Sequence, residues 1–265
     1  MPRAARRRPP RFPPPALPER AAAGLRVVTF NLHHGVGPDR RLDLERSAAL
    51  LASLAADVIG LQEVDRHWSE RSGWLDQAET LARWLGMHLA YGAALEREPP
   101  APGRPPRRYG NALLTRLPLV SRSVLRLPRD GMRGEDRCLL LCAVDGDEQV
   151  TVGVTHLEPH RAELRALQAA AVADALRPPV DAGEPVVLLG DVNGDVGRDP
   201  ELRPLRDLLA DAGRRAGPTH PVPRATKRID VVMPSRGIEV LRAEVVDARV
   251  SDHRPLVAEL RLPGG

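Results

Sequence analysis

The chain has almost no lysine, few aromatic residues, two cysteines and no apolar run long enough to cross a membrane. A single lysine, Lys227, stands among 39 basic residues, so the positive charge is nearly all guanidinium, a bias of composition rather than of function. Aromatics make up 3% of the chain, which argues against the stacking surfaces that hold single-stranded nucleic acid. Cys138 and Cys142 are four positions apart; on a strand their Cα atoms lie roughly 13 Å apart, beyond disulfide reach. Two cysteines without further ligands do not make a zinc site, and no histidine pair has zincin spacing. Nothing calls for an oxidising compartment. The arginine-rich start lacks the hydrophobic stretch of a secretory signal, and no apolar run reaches transmembrane length. A cytoplasmic, monomeric protein is the expectation.

Charge has to be located before it is interpreted. The net charge is +4, but residues 1–26 hold seven arginines against one glutamate, or +6, which leaves −2 for residues 27–265. A nucleic-acid binder should carry its positive field on the folded body, so this distribution leans away from tight DNA binding. Proline and arginine dominate up to Pro18, a composition that cannot support a core. Residues 1–24 are therefore expected to be disordered, and residues 25–263 to form the folded domain.

Along that domain, strands are expected at 25–30, 57–61, 87–92, 111–115, 138–144, 150–155, 186–190, 228–233, 240–246 and 255–260. Helices are expected at 44–54, 76–85, 161–176 and 200–212, the third stopped by Pro178-Pro179. Glu96–Arg108, with five prolines and four arginines, suggests a surface loop. Several neighbouring strands lack an intervening helix, so a mixed-sheet α/β sandwich fits better than an all-parallel sheet.

The strands share a feature. Val186-Val187-Leu188-Leu189 is apolar enough to be buried on both faces, then breaks at Gly190 into Asp191-Val192-Asn193. In extended backbone Asp191 and Asn193 would face one side together. The same segment could be only an Asx-rich turn. Yet other strand ends also finish on polar residues: Asn31, Glu63, His156, and beyond them Asp230, Asp252 and His253. Convergence on one cleft is the economical explanation.

Metal-assisted phosphoester hydrolysis is the chemistry such groups could perform. Mg²⁺ prefers oxygen ligands and is often held by one or two carboxylates, which Glu63 with Asn31 could supply. Asp191 suits positioning and deprotonating a water, and His253 suits a cationic contact to the developing phosphorane. Asp230 could hold that imidazole in one tautomer, and Asn193 and His156 remain as contacts to phosphoryl oxygens.

The motifs Thr29-Phe30-Asn31, Leu61-Gln62-Glu63-Val64, Tyr109-Gly110-Asn111-Ala112-Leu113-Leu114, Thr155-His156-Leu157, Gly190-Asp191-Val192-Asn193, Arg228-Ile229-Asp230 and Ser251-Asp252-His253-Arg254-Pro255 occur in that order. The sequence thereby resembles the endonuclease/exonuclease/phosphatase superfamily, which includes DNase I-like nucleases, apurinic endonucleases, sphingomyelinases and inositol-phosphate phosphatases. The resemblance implies a four-layer α/β sandwich with two central mixed sheets. It implies a Mg²⁺ site, with Mn²⁺ as substitute, at Asn31 and Glu63 with Asp252 close by. Asp191 and Asn193 would handle nucleophile and phosphate, Asp230 with His253 would form the catalytic pair, and His156 and Asn111 would contact substrate. The partner is then a phosphorylated substrate, with nucleic acid kept open. The reading from another class is a catalytically inactive binding module; it expects gaps among these motifs, and there are none.

Other residues keep bland readings. His33 and His34 are expected to be packed or exposed, Asp65 to cap a helix, and the tryptophans to fill core or loop. His67, His88, His160 and His220 receive no role. Arg165 and Gln168 could brace the site or belong to a solvated helix face.

Overall fold

The computed structural model describes residues 24–264, so the segment expected to be disordered lies outside the described residues except for Gly24. Eleven strands follow in chain order: β1 (Leu25–Asn31), β2 (Val58–Arg66), β3 (His88–Arg97), β4 (Arg107–Thr115), β5 (Leu119–Arg126), β6 (Cys138–Asp145), β7 (Gln149–His156), β8 (Val186–Asp191), β9 (Asp230–Pro234), β10 (Glu239–Val245) and β11 (Leu256–Arg261). The helices are α1 (Leu44–Ser53), α2 (Gln77–Leu85), α3 (Ala162–Asp181) and α4 (Arg203–Leu208). The strands form a six-stranded sheet ordered β10-β11-β1-β2-β4-β3 and a five-stranded sheet ordered β5-β6-β7-β8-β9. Both sheets are mixed: β1 runs parallel to β2, and β7 to β8, within otherwise antiparallel ladders.

Side-chain alternation sorts the strands into layers. Val28, Phe30, Ile59 and Leu61 pack under α1 and α2 with Ala48, Leu51 and Leu81. Their neighbours Val27 and Val58 face the other way and meet Val152, Val154, Val187 and Leu189 between the sheets. Leu188, Val186 and Val231 then point outward to Val172, Leu176 and Leu205 of α3 and α4. The result is the four-layer α/β sandwich. The sheets approach so closely at Gly60 that a Cβ there would lie 2.9 Å from that of Leu189.

Three expectations need correction. Pro178 and Pro179 do not stop α3, which runs on to Asp181. The helix forgoes the two N–H bonds these prolines cannot make, and its final turn closes through the Ala182 N–H to the Pro178 carbonyl. The loop after β3 is short, because β3 extends to Arg97 and β4 starts at Arg107, tied by the Arg108–Glu96 pair. α4 ends at Leu208 rather than 212, where Leu209 turns extended and Ala210 bonds the Pro234 carbonyl. β5 was not expected at all. It is an edge strand with nearly every residue exposed, so its sequence carries no one-sided apolar pattern. Among the described residues no helix is long and apolar enough to cross a membrane.

Candidate active site

Register alone assembles half of the site. His156 is paired with Asp191 across β7 and β8, and Asp191 with Asp230 across β8 and β9. Three strand ends thus carry an imidazole and two carboxylates side by side at one edge of the five-stranded sheet. All three residues are buried.

The six-stranded sheet supplies the facing half. Asn31 ends β1, and its side-chain amide donates to Glu63 Oε1 and to Asp191 Oδ2, each at 3.0 Å. One carboxamide therefore joins the two sheets. Glu63 sits at a register break in β2, between Leu61 and Val64, with φ of +57°. That bulge re-aims its side chain; in regular pleating Gln62 and Glu63 would face opposite sides. Gln62 instead stays inside, bonded to Thr29.

His253 closes the cluster from the loop before β11, where Ser251 Oγ donates to the Asn31 carbonyl and accepts from the His253 N–H. The His253 Nδ1 lies 2.8 Å from Asp230 Oδ2, and its Nε2 lies 3.6 Å from Asp191 Oδ2. Burial opposes a charge on this ring, but Asp230 and then Asp191 outweigh it and raise its pKa to about 10. Asp191 is moved upward, by its own burial first, despite the imidazolium beside it. A base whose folded pKa is raised stabilises the fold fully below its ordinary 6.5, and that stabilisation fades as pH rises through about 10. In EDTA, the melting temperature of wild type minus that of His253→Gln should shrink as pH climbs across this window. A difference that grows would contradict the pair.

His156 is a different kind of imidazole. The Arg137 guanidinium, which can only donate, lies 2.9 Å from His156 Nδ1, so that nitrogen accepts and the proton sits on Nε2. Burial, then Arg137 and His253, hold its pKa well below the ordinary value. Its Nε2–H faces Asp191 Oδ2 at 3.6 Å as a neutral donor. Arg137, itself buried, also pairs with Glu135. The sequence signalled it only as the polar residue before an apolar strand.

Asn193 does not continue the strand beside Asp191. It takes a φ of +52°, its N–H donates to Asp191 Oδ1, and its amide donates to the Leu157 carbonyl. The Asx turn and the site residue are thus the same feature. Asn111 is buried between the sheets, with its amide directed to the carbonyls of Cys138 and Val154 rather than into the cluster. Arg165 and Gln168 do brace the segment after His156: Gln168 accepts the Glu158 N–H and Arg165 donates to the Glu158 carbonyl.

Several bland readings give way. Asp65 is fully buried and caps nothing; it holds Arg71 in a bidentate pair at 2.9 and 2.8 Å. Arg71 in turn stacks on Trp68 and Tyr109. The His220 ring lies 4.5 Å from that of His253. His33 and His34, half-buried, gather beside Glu63. Asp252 is part-exposed, 3.6 Å from His33 Nδ1.

The donors suit a divalent cation at the Glu63 side. Ligand atoms of His33, His34 and Glu63 lie within 4.8 Å of one another, with Asn31 and Asp252 adjoining.

Two stacked mixed sheets under paired helices, with carboxylates and imidazoles brought to one edge, define a DNase I-like α/β sandwich. The chain belongs to the Endonuclease/Exonuclease/phosphatase family, whose model matches residues 28–253. Among solved structures it is similar to an endonuclease/exonuclease/phosphatase from Beutenbergia cavernae DSM 12333, at 32% identity and TM-score 0.75, covering 91% of this chain and 72% of that one. A mannosyl-6-phosphatase of Bacteroides thetaiotaomicron VPI-5482 shares the fold at 18% identity and TM-score 0.71, covering 89% and 99%. The human Nocturnin catalytic domain does so at 18% identity and TM-score 0.67, covering 90% and 93%. Comparison with curated protein sequences gives no match.

Proposed function

We propose that the protein is a divalent-metal-dependent phosphoesterase that hydrolyses a phosphomonoester or phosphodiester by in-line attack of an activated water. The observation carrying this reading is the buried Asp191–His253–Asp230 array, in which a carboxylate and a cationic imidazole face the same space. Asp191 orients and deprotonates the water, held in place by Asn31 and the Asn193 N–H. His253, kept cationic and oriented by Asp230, donates to the phosphoryl oxygens as charge builds. His156 adds a neutral Nε2–H donor set by Arg137. Asn193 lines the substrate side, while Asn111, turned to the Cys138 and Val154 carbonyls, braces the strands behind it. Asn31 and Glu63, with Asp252, would hold a divalent cation such as Mg²⁺ or Mn²⁺. When bound, the ion neutralises phosphoryl charge and stabilises the leaving oxygen.

A nuclease reading draws on one further observation. Arg198, Arg214, Arg215 and Arg228 line an open cleft of about 620 Å³ together with Asp195. Arg228 and Arg198 are paired there with Asp195 and Asp211, so the positive surplus rests on Arg214 and Arg215, and that surplus suits a polyanionic substrate. The experiment is phosphate release from a panel of sugar and nucleoside phosphomonoesters beside supercoiled-plasmid nicking. At least one reaction should proceed, stop in EDTA and return with Mg²⁺. A folded, Mg²⁺-binding sample that cleaves nothing would favour the inactive binding module.

A further inference from the structure

We infer that His33 and His34 ligate the cation of this site and turn its preference from Mg²⁺ toward an imidazole-accepting first-row ion of the Mn²⁺ class. The inference rests on the reading of the site as metal-dependent and concerns which ion these residues select.

Distance is the first support. Donors about 2.0–2.2 Å from a shared ion can be no more than about 4.4 Å apart. The ligand atoms of His33, His34 and Glu63 already lie within 4.8 Å of one another, so a shift of a few tenths of an ångström brings them onto one ion.

Tautomer is the second. The His33 Nδ1 lies 3.2 Å from the Val36 carbonyl and 3.6 Å from Asp252 Oδ1. Two acceptors facing Nδ1 place the proton there and leave the Nε2 lone pair free. A backbone carbonyl or carboxylate on one ring nitrogen is the usual support of a metal-bound histidine.

The third is an unmet valence. His34 Nδ1 is buried with no hydrogen-bond partner among the described residues, a costly condition that coordination would relieve.

Backbone is the fourth. His33, His34 and Glu63 have φ of +46°, +42° and +57°, all in the left-handed region that bulky side chains avoid. They are held there by the Asn31 side chain on the His33 N–H at 3.0 Å and by Gln77 on the His34 carbonyl at 2.7 Å. Three such residues around one point are a strained clamp, as ligand sites often are.

The donor set shifts the ion: Mg²⁺ takes oxygen ligands and gives up water reluctantly, whereas two imidazoles draw the site toward first-row transition ions, among which Mn²⁺ also keeps an affinity for the carboxylate and carboxamide oxygens present.

The test uses the full chain, stripped with EDTA and loaded with Mn²⁺. Pulsed EPR reads ¹⁴N coupling from bound imidazole, and calorimetry reads Mn²⁺ and Mg²⁺ affinities. Asparagine tolerates left-handed backbone, so His33→Asn, His34→Asn and the double variant are the probes, with the exposed His88→Asn as control. Wild type and control should show ¹⁴N coupling, each single variant should lose part of it, and the double variant all. Mn²⁺ affinity should fall by about tenfold or more in the double variant while Mg²⁺ affinity barely moves. Absence of Mn²⁺ binding, Mn²⁺ bound without ¹⁴N coupling, or coupling that survives in a folded double variant would each overturn the inference. The two readings fail separately. An inactive enzyme with intact ¹⁴N coupling removes the phosphoesterase and keeps the clamp; an active enzyme with an all-oxygen Mn²⁺ signal does the reverse.

Discussion

His253→Ala is expected to lower kcat/KM for the hydrolysed ester by about 10²–10⁴-fold, the range for a group that donates in the transition state. The geometry makes this residue hard to replace. Its Nδ1 is engaged by Asp230 at 2.8 Å, so only Nε2, 3.6 Å from Asp191, is directed into the cluster. Ala also strips the partner from a fully buried Asp230, so part of the loss could reflect folding. His253→Gln separates the two effects, because its amide can still face Asp230 while no cation remains. Gln should melt below wild type by what the charged pair supplies, yet stay folded at assay temperature, and be as inactive as Ala. An active Gln variant would mean that the charge on His253 does not carry the reaction.

Asp191→Asn should cost as much, about 10²–10⁴-fold, and almost all of it in kcat. The side chain keeps its shape and, through its one remaining acceptor oxygen, either the Asn31 amide or the Asn193 N–H. What it loses is the ability to accept a proton from water. Substrate contacts from His156 and Asn193 remain, so KM should move little. Asp191 and His253 act on the same step, hence the Asp191→Asn/His253→Gln double variant should be scarcely worse than either single one. Losses that multiply would mean that the two residues act independently.

How much of this the sequence revealed varies with the physics behind each element. Val186–Leu189 announced a strand buried on both faces because parallel pairing and helix cover demand unbroken apolar residues. The polar strand ends at Asn31, His156 and Asp191 were legible for the same reason, since a buried strand has no cause to finish on such groups; Glu63, expected just past a strand ending at 61, instead lies inside β2, which runs on to Arg66. Their convergence needed register, which pairs His156 with Asp191 and Asp191 with Asp230. Other features had no local signature. The bulge at Glu63 is a break in the β2–β4 register, with Gln62 beside it bonding Thr29 across the sheet, and neither leaves a local pattern. The pairing of Arg137 with His156 spans 19 residues, and that of Asp65 with Arg71 joins a strand end to a short turn. β5 lacks the alternation of a half-buried strand because almost nothing of it is buried. His33 and His34 look ordinary in sequence; only their left-handed backbone beside Glu63 sets them apart.

The most direct measurement is the initial rate of phosphate release by EDTA-stripped protein, titrated with Mg²⁺ and with Mn²⁺, for wild type beside His253→Gln. Wild type should be silent without metal and rise saturably with either ion, while His253→Gln stays near background throughout. Hydrolysis that persists in EDTA, or a His253→Gln variant that keeps pace with wild type, would contradict metal-dependent phosphoester hydrolysis at this cluster.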